Sequence, residues 1–221
     1  MSTAPTAQDW HDHYAGGRDF RPLTDREKSL LHAHLALPSN ALAPRALDVA
    51  CGTGELARLL AAAGYQVDAV DWAAAAIERA RAAPSYGITY HRLDVTHGGI
   101  AALPPAGAGY RVITLRRALA HLPDRTRTVA ELAALLAPGG TLCVITPHAD
   151  RHRADLRGIC LDDAEIGQLT DGWEHTERFE ADDCTVLLLR DHAADVRAAA
   201  RGLLDSAIHS SPMSSGTETT I

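Results

Sequence analysis

One short segment constrains the fold of this 221-residue chain more than any other: Leu47-Asp48-Val49-Ala50-Cys51-Gly52-Thr53-Gly54-Glu55-Leu56. An apolar run enters a G-x-G loop, and an amphipathic stretch leaves it. Glycine lacks a Cβ, so a ligand or a second backbone can come close. The amide groups of a helix starting there point at whatever fills the space. By itself the pattern also fits a plain tight turn. The chain that follows argues for more. Ala46–Val49 reads as a strand, Gly54–Ala63 as a helix, Gln66–Val70 as a strand and Ala73–Ala82 as a helix. Next come strands Ile88–Leu93 and Arg111–Leu115, helix Thr126–Leu136 and strand Thr141–Thr146. Strands separated by helices, with Gly and Pro at the joints, predict an α/β fold with a parallel sheet covered on both faces.

The two ends read differently. A helix is expected from near Asp9, carrying Trp10 and Tyr14 and broken at Gly16-Gly17. Thr24-Asp25-Arg26-Glu27 is a capping box opening a second helix, with Leu30, Leu31 and Leu35 on one face, that ends before Pro38. Beyond strand five, Asp162–Leu169 reads as a short helix, and Trp173–Phe179 with Thr185–Arg190 as an antiparallel hairpin. The expected layout is a helical cap over 1–44, a ligand-binding domain over 45–190, an Ala-rich helix over 191–209 and a disordered tail over 210–221.

Composition removes several function classes. The net charge is -7 and no dense basic stretch exists, which argues against a phosphate backbone as partner. Aromatic residues are 5% of the chain, so the core is expected to be Ala, Leu, Val and Ile. Cys51, Cys143, Cys160 and Cys184 show no C-x-x-C spacing, so neither a disulfide framework nor a zinc knuckle is expected. The first residues lack a signal-peptide pattern, and no apolar run approaches the roughly 20 residues that span a bilayer. A cytoplasmic protein with a small-molecule partner and no membrane contact is expected.

Two acids sharpen the glycine loop. Asp71 ends the second strand, where a carboxylate can accept ribose hydroxyls, and Asp94 with Val95 ends the third at the same sheet edge. A helix cap or a solvated turn is the structural alternative for each. Gly52-Thr53-Gly54-Glu55-Leu56-Ala57 also satisfies a relaxed dinucleotide fingerprint. Asp48 counts against NAD, because a carboxylate beside the loop repels a pyrophosphate but suits an ammonium and a sulfonium.

The run L-D-V-A-C-G-T-G-E-L resembles the first motif of class I S-adenosylmethionine-dependent methyltransferases. Asp71-Trp72, Leu93-Asp94-Val95 and Leu135 through Leu142 are similar to the motifs that follow it. So is the stretch from Tyr14-Ala15-Gly16-Gly17-Arg18 to Phe20-Arg21-Pro22-Leu23. The resemblance implies a Rossmann-like three-layer αβα sandwich whose mostly parallel seven-stranded sheet has an antiparallel last strand. It further implies that Asp48 and the loop Ala50, Cys51, Gly52, Thr53 and Gly54 line the methionine half of S-adenosylmethionine, with Tyr14 and Arg18 closing over the carboxylate. Asp71 would hold the ribose, Trp72 the adenine and Asp94 its exocyclic amine, with Val95 and Arg116 also at the cofactor.

After strand four this chain departs from the family's usual pattern. Arg111 stands where an acid is common, one histidine remains at His121, and Ala73 replaces a frequent helix-capping Ser, so that Asp71 is expected to cap as well. His121 is the candidate base; packing at a helix start is the alternative. Arg116 and Arg117 suit an anionic acceptor, with Arg117 assigned to the substrate; pairing with Asp124 or facing water is the alternative. His148, His152, Asp150 and Asp155 invite a metal reading, but their arginine-rich setting favours a mobile lid, and no metal is assigned. The expected activity is methyl transfer to an oxygen or nitrogen of a small molecule, with S-adenosylhomocysteine as product. The alternatives are a protein of the same fold that binds the cofactor without methylating, and an NAD-linked oxidoreductase.

Overall fold

The computed structural model describes residues 5–35, 43–96, 99–103 and 106–193. Helices α1 (Ala7–Ala15) and α2 (Asp25–Leu35) precede a repeating strand–helix pattern: β1 (Arg45–Val49), α3 (Glu55–Ala62), β2 (Gln66–Asp71), α4 (Ala74–Ala82), β3 (Ile88–Arg92), β4 (Tyr110–Arg116), α5 (Arg125–Ala134) and β5 (Leu136–Pro147). Helix α6 (Asp163–Thr170) and the hairpin β6 (Trp173–Ala181) and β7 (Cys184–His192) complete the fold. Residues 191 and 192 extend β7 and do not open a helix; the rest of the expected C-terminal helix and the expected tail lie outside the described residues.

The seven strands run β3-β2-β1-β4-β5-β7-β6. Only β7 opposes the others: it pairs antiparallel with both β5 and β6, while the remaining pairs are parallel. The expected seven-stranded αβα sheet is therefore present. Strands buried on both faces are largely apolar on both, as Ala46, Leu47, Val49, Val112, Ile113 and Leu115 show, with Asp48 and Thr114 as buried polar exceptions. Side chains alternate between two cores. Ala46, Val112, Cys143 and Ile145 pack with α2, α3 and α4 on one face. Leu47, Val49, Ile113, Leu115, Leu142 and Val144 pack with α5 and α6 on the other.

The capping box forms as expected: Glu27 N–H donates to Thr24 Oγ1 (3.1 Å) and Thr24 N–H to Glu27 Oε2 (2.8 Å). Helix α4 lacks a side-chain cap at Ala73. Asp71 Oδ1 takes the Ala73 amide instead (2.9 Å), and His11 Nδ1 on α1 takes that of Ala75 (3.3 Å). Arg79 on α4 then donates to the carbonyls of Tyr14 (3.2 Å) and Arg18 (2.8 Å), fixing α1 over the sheet edge. The segment read as a mobile lid folds into two 3-10 turns, Ala149–Arg151 and Ala154–Ile159, pinned to the β6–β7 turn by Arg151 on the carbonyls of Asp182 (3.2 Å) and Cys184 (3.1 Å).

Candidate active site

Strand order reverses between β1 and β4, and open α/β sheets bind ligands at the carboxyl edge beside such a reversal. A cavity of about 520 Å³ opens there, beneath α1. Its walls come from Ala50 after β1, Asp71 and Trp72 at the end of β2, Leu93 to Thr96 after β3, Arg116 at the end of β4, Arg117, Ala118 and Ala120 to Pro123 after it, and Trp10, Tyr14 and Phe20 from the N-terminal segment.

On the β1–β3 side, backbone geometry explains the glycines. Gly52 (φ 54°) and Gly54 (φ 82°) adopt left-handed conformations that residues with a Cβ rarely take. A Cβ at Gly52 would lie 2.8 Å from the Tyr14 hydroxyl, and one at Gly54 would lie 2.5 Å from the Tyr90 hydroxyl. Asp71 ties the loop to β2: its Oδ2 accepts the Gly52 amide (2.8 Å) while Oδ1 accepts that of Ala73. Each carboxylate oxygen keeps a second lone pair, so the group can still receive hydroxyl donors from the cavity. Burial raises the pKa of Asp71, an effect opposed by the amides of Ala73, Gly52 and Trp72. Asp94 is exposed; its Oδ1 accepts the Thr96 amide (2.9 Å) and hydroxyl (2.7 Å), an Asx-type turn that aims the carboxylate at the cavity mouth.

Asp48 sits deeper. It is 1% exposed and lies behind the loop, with Oδ1 receiving the Thr114 hydroxyl (2.7 Å) and Oδ2 buried without a hydrogen-bond partner. Burial pushes its pKa up to about 7, against the pull of Thr114 and the Arg116 charge.

On the β4 side two arginines end a strand and both meet acids. Arg116 grips Glu27, itself 1% exposed, through Nε–Oε1 and Nη2–Oε2, both 2.9 Å. It also donates to the carbonyls of Arg21 (2.7 Å) and Pro22 (3.0 Å). Arg117, at φ 53°, forks onto Asp183 in the β6–β7 turn, with Nη1–Oδ2 at 3.1 Å. Asp183 also receives Arg21 (3.0 Å) and lies 3.3 Å from His152 Nε2. His121 closes the wall, edge-on to Trp10 at 5.7 Å between ring centroids. Burial, aided by the Arg125 charge, lowers its pKa, so its imidazole is neutral and able to accept a proton at neutral pH.

Residues 23–201 match the model of a family described as a methyltransferase domain. The chain belongs to that family. A ubiquinone biosynthesis O-methyltransferase of Burkholderia multivorans is 36% identical over 140 residues, covering 61% of this chain and 56% of that protein. A probable S-adenosylmethionine-dependent methyltransferase of Mycobacterium tuberculosis is 31% identical over 160 residues, covering 70% of this chain and 52% of that protein. The chain thus spans about half the length of these curated relatives. Among solved structures, the N-methyltransferase NodS from Bradyrhizobium japonicum in complex with S-adenosyl-L-homocysteine shares the fold, with a TM-score of 0.57 at 22% identity over 76% of this chain and 88% of that one.

In this methyltransferase-domain chain the cavity gathers Tyr14, Ala50, Asp71, Trp72, Asp94, Val95, Arg116, Arg117 and His121. It leaves others out. Arg18 is exposed, with its carbonyl on Arg79, and Asp48, Cys51, Gly52, Thr53 and Gly54 are absent from the lining, Gly52 lying under Tyr14. Of the residues considered for a metal, His152 turns to Asp183 and Asp155 to Arg153 (3.2 Å). His148 and Asp150 group with Asp163, within 4.8 Å of one another, but Asp163 is already held by Arg178 at 2.6 Å. Sequence reasoning missed Glu27, whose capping-box signature conceals its second role, and Asp183, which no local pattern marks. Among the described residues no helix is long and apolar enough to cross a membrane.

Proposed function

We propose that this chain is an S-adenosylmethionine-dependent methyltransferase acting on an oxygen or nitrogen of a small molecule. The observation that carries the reading is the cavity at the sheet's reversal point, with the Asp71 and Asp94 carboxylates and the Trp72 ring on adjacent strand ends. That donor set fits an adenosine: Asp71 accepts from the ribose, Trp72 packs on the base and Asp94 accepts from its amine. The buried, half-satisfied carboxyl group of Asp48, with its pKa raised to about 7, can take up negative charge behind the glycine loop when a cationic group binds nearby and favours the ionised form. Bound there, S-adenosylmethionine supplies an electrophilic methyl carbon. The chain's own part is to align the acceptor and exclude water, which can supply most of the acceleration. His121, neutral and facing the cavity, takes the proton that the acceptor loses.

Calorimetric titration with S-adenosylhomocysteine, with NAD as the comparison ligand, tests the assignment. Micromolar binding of the first and none of the second is expected; binding of NAD alone, or of neither, defeats it. Release of S-adenosylhomocysteine in step with a methylated acceptor distinguishes transfer from binding without methylation.

A further inference from the structure

Two strand-end arginines beside the acceptor end of the cavity look like an anion site in the sequence, and the structure cancels both. Arg116 is neutralised by Glu27, and Arg117 by Asp183. Among the described residues of the lining, what remains ionisable without an ion-pair partner is acidic, namely Asp71 and Asp94, or neutral, namely His121 and Tyr14. We propose that the acceptor is an uncharged planar ring compound, and that Asp183 enforces this choice by neutralising Arg117. This rests on the methyltransferase reading of the same cavity.

The lining supports a flat, apolar guest. Trp10 meets Phe20 edge-on at 5.4 Å and His121 at 5.7 Å, and Ala118 and Leu122 complete the wall. Aromatic groups pack against such rings in offset or edge-on arrangements. A carboxylate entering here would leave water and meet no free cation among the described residues of the lining, a costly transfer.

Arg117 itself is built to be held. It is 8% exposed, and its left-handed backbone is fixed by its amide on the Ile145 carbonyl (2.7 Å). Sparsely populated backbone conformations persist where the surroundings over-determine them, often at ligand clamps. Both of its Nη atoms go to Asp183, while Nε is buried without a partner.

Asp183 is equally fixed, by Arg21 and His152 as well as by Arg117. Although burial raises its pKa, the Arg117 and Arg21 guanidiniums outweigh that effect and keep it ionised. Asp183 thus acts as a positioning residue: it sets the charge of the acceptor wall and holds the Arg117 fork away from the guest.

Trp10 and Trp72 line the cavity, so quenching of intrinsic fluorescence reports a guest. The protein is saturated with S-adenosylhomocysteine and titrated with protocatechuate and with its methyl ester, which share a ring and differ in charge. The ester is expected to bind at least about tenfold tighter to the native chain. Asp183→Asn is expected to shift the ester-to-acid ratio by about tenfold or more toward the acid, because the freed guanidinium forks onto the carboxylate. A purely structural role for Asp183 would weaken both probes alike. Preference of the native chain for the acid, equal binding, an unchanged ratio in folded Asp183→Asn, or no quenching by the ester each overturns the proposal. The native ratio decides the matter if the variant fails to fold. Failure of S-adenosylhomocysteine to bind, measured first, refutes the methyltransferase reading; its binding together with a preference for the acid refutes only this inference.

Discussion

Replacing Glu27 by Gln tests whether Arg116 is a structural cation or a ligand group. The native carboxylate is 1% exposed, takes both ends of the Arg116 fork and accepts the Thr24 amide. Glutamine keeps the shape and one acceptor oxygen, but it removes the charge and turns an NH₂ donor toward a donor. Breaking one side of a buried ion pair costs about 3–5 kcal/mol, because the remaining charge stays buried and unpaired. Arg116 is 12% exposed at the side chain, so little water can compensate. With a urea m-value of about 2–3 kcal/mol per molar, the unfolding midpoint should fall by about 1–2 M at unchanged slope. Glu27→Leu combined with Arg116→Leu should recover most of the loss, since an apolar pair of similar volume often replaces a buried ion pair at little cost. The carbonyls of Arg21 and Pro22 lose a donor in that double variant but remain near solvent. A loss under about 1 kcal/mol for Glu27→Gln would mean that Arg116 is not committed to this pair. The neutral acceptor wall argued above would then lose one of its two supports.

Three further outcomes are expected. Asp71→Ala should weaken S-adenosylhomocysteine binding by about 1–3 kcal/mol in calorimetry, as loss of charge-assisted hydrogen bonds implies, and unchanged affinity in a folded variant would remove Asp71 from the ribose. His121→Gln should lower turnover by about 10²–10⁴-fold at unchanged cofactor affinity, with loss of the acidic limb of the rate profile; normal turnover refutes its role as base. Asp48 has its folded pKa raised to about 7, so it favours the folded state at acidic pH and progressively less as pH climbs through that value. Asp48→Asn should therefore gain thermal stability relative to the native chain as pH rises from about 4 to about 7 and keep a constant advantage above that; a difference in Tm that is flat from about pH 4 to about pH 7 would show that Asp48 is not protonated in the fold.

The parts of this protein readable from sequence are those governed by local geometry. The strand–glycine–helix transition at Val49 to Glu55, the Thr24–Glu27 capping box and the Trp173 to His192 hairpin depend on side-chain periodicity and on hydrogen bonds a few residues apart. Asp71, Trp72 and Asp94 were legible for the same reason, since strand ends fall where apolar runs stop. Most boundaries moved by a residue or two: α5 begins at Arg125, and the hairpin tightens to a two-residue turn at Asp182 and Asp183; β5 moved further, beginning at Leu136 where the strand was expected from Thr141.

Charge pairing belonged to the tertiary structure. Arg116 meets Glu27 across 89 residues and Arg117 meets Asp183 across 66, separations at which no periodicity carries information. Insertion of β7 between β5 and β6 places Cys184 opposite Pro147 and so carries the turn to the carboxyl edge where β4 ends. The same packing leaves Arg18 outside, puts Asp48 behind the loop, and lays Tyr14 over Gly52. The sequence by itself determined the sheet, its glycine loop and the acids at its edge, because backbone propensity and burial pattern act locally. Which of the cavity's charges survive to meet a ligand was decided only by long-range packing, because a charge is defined by its neighbours in space.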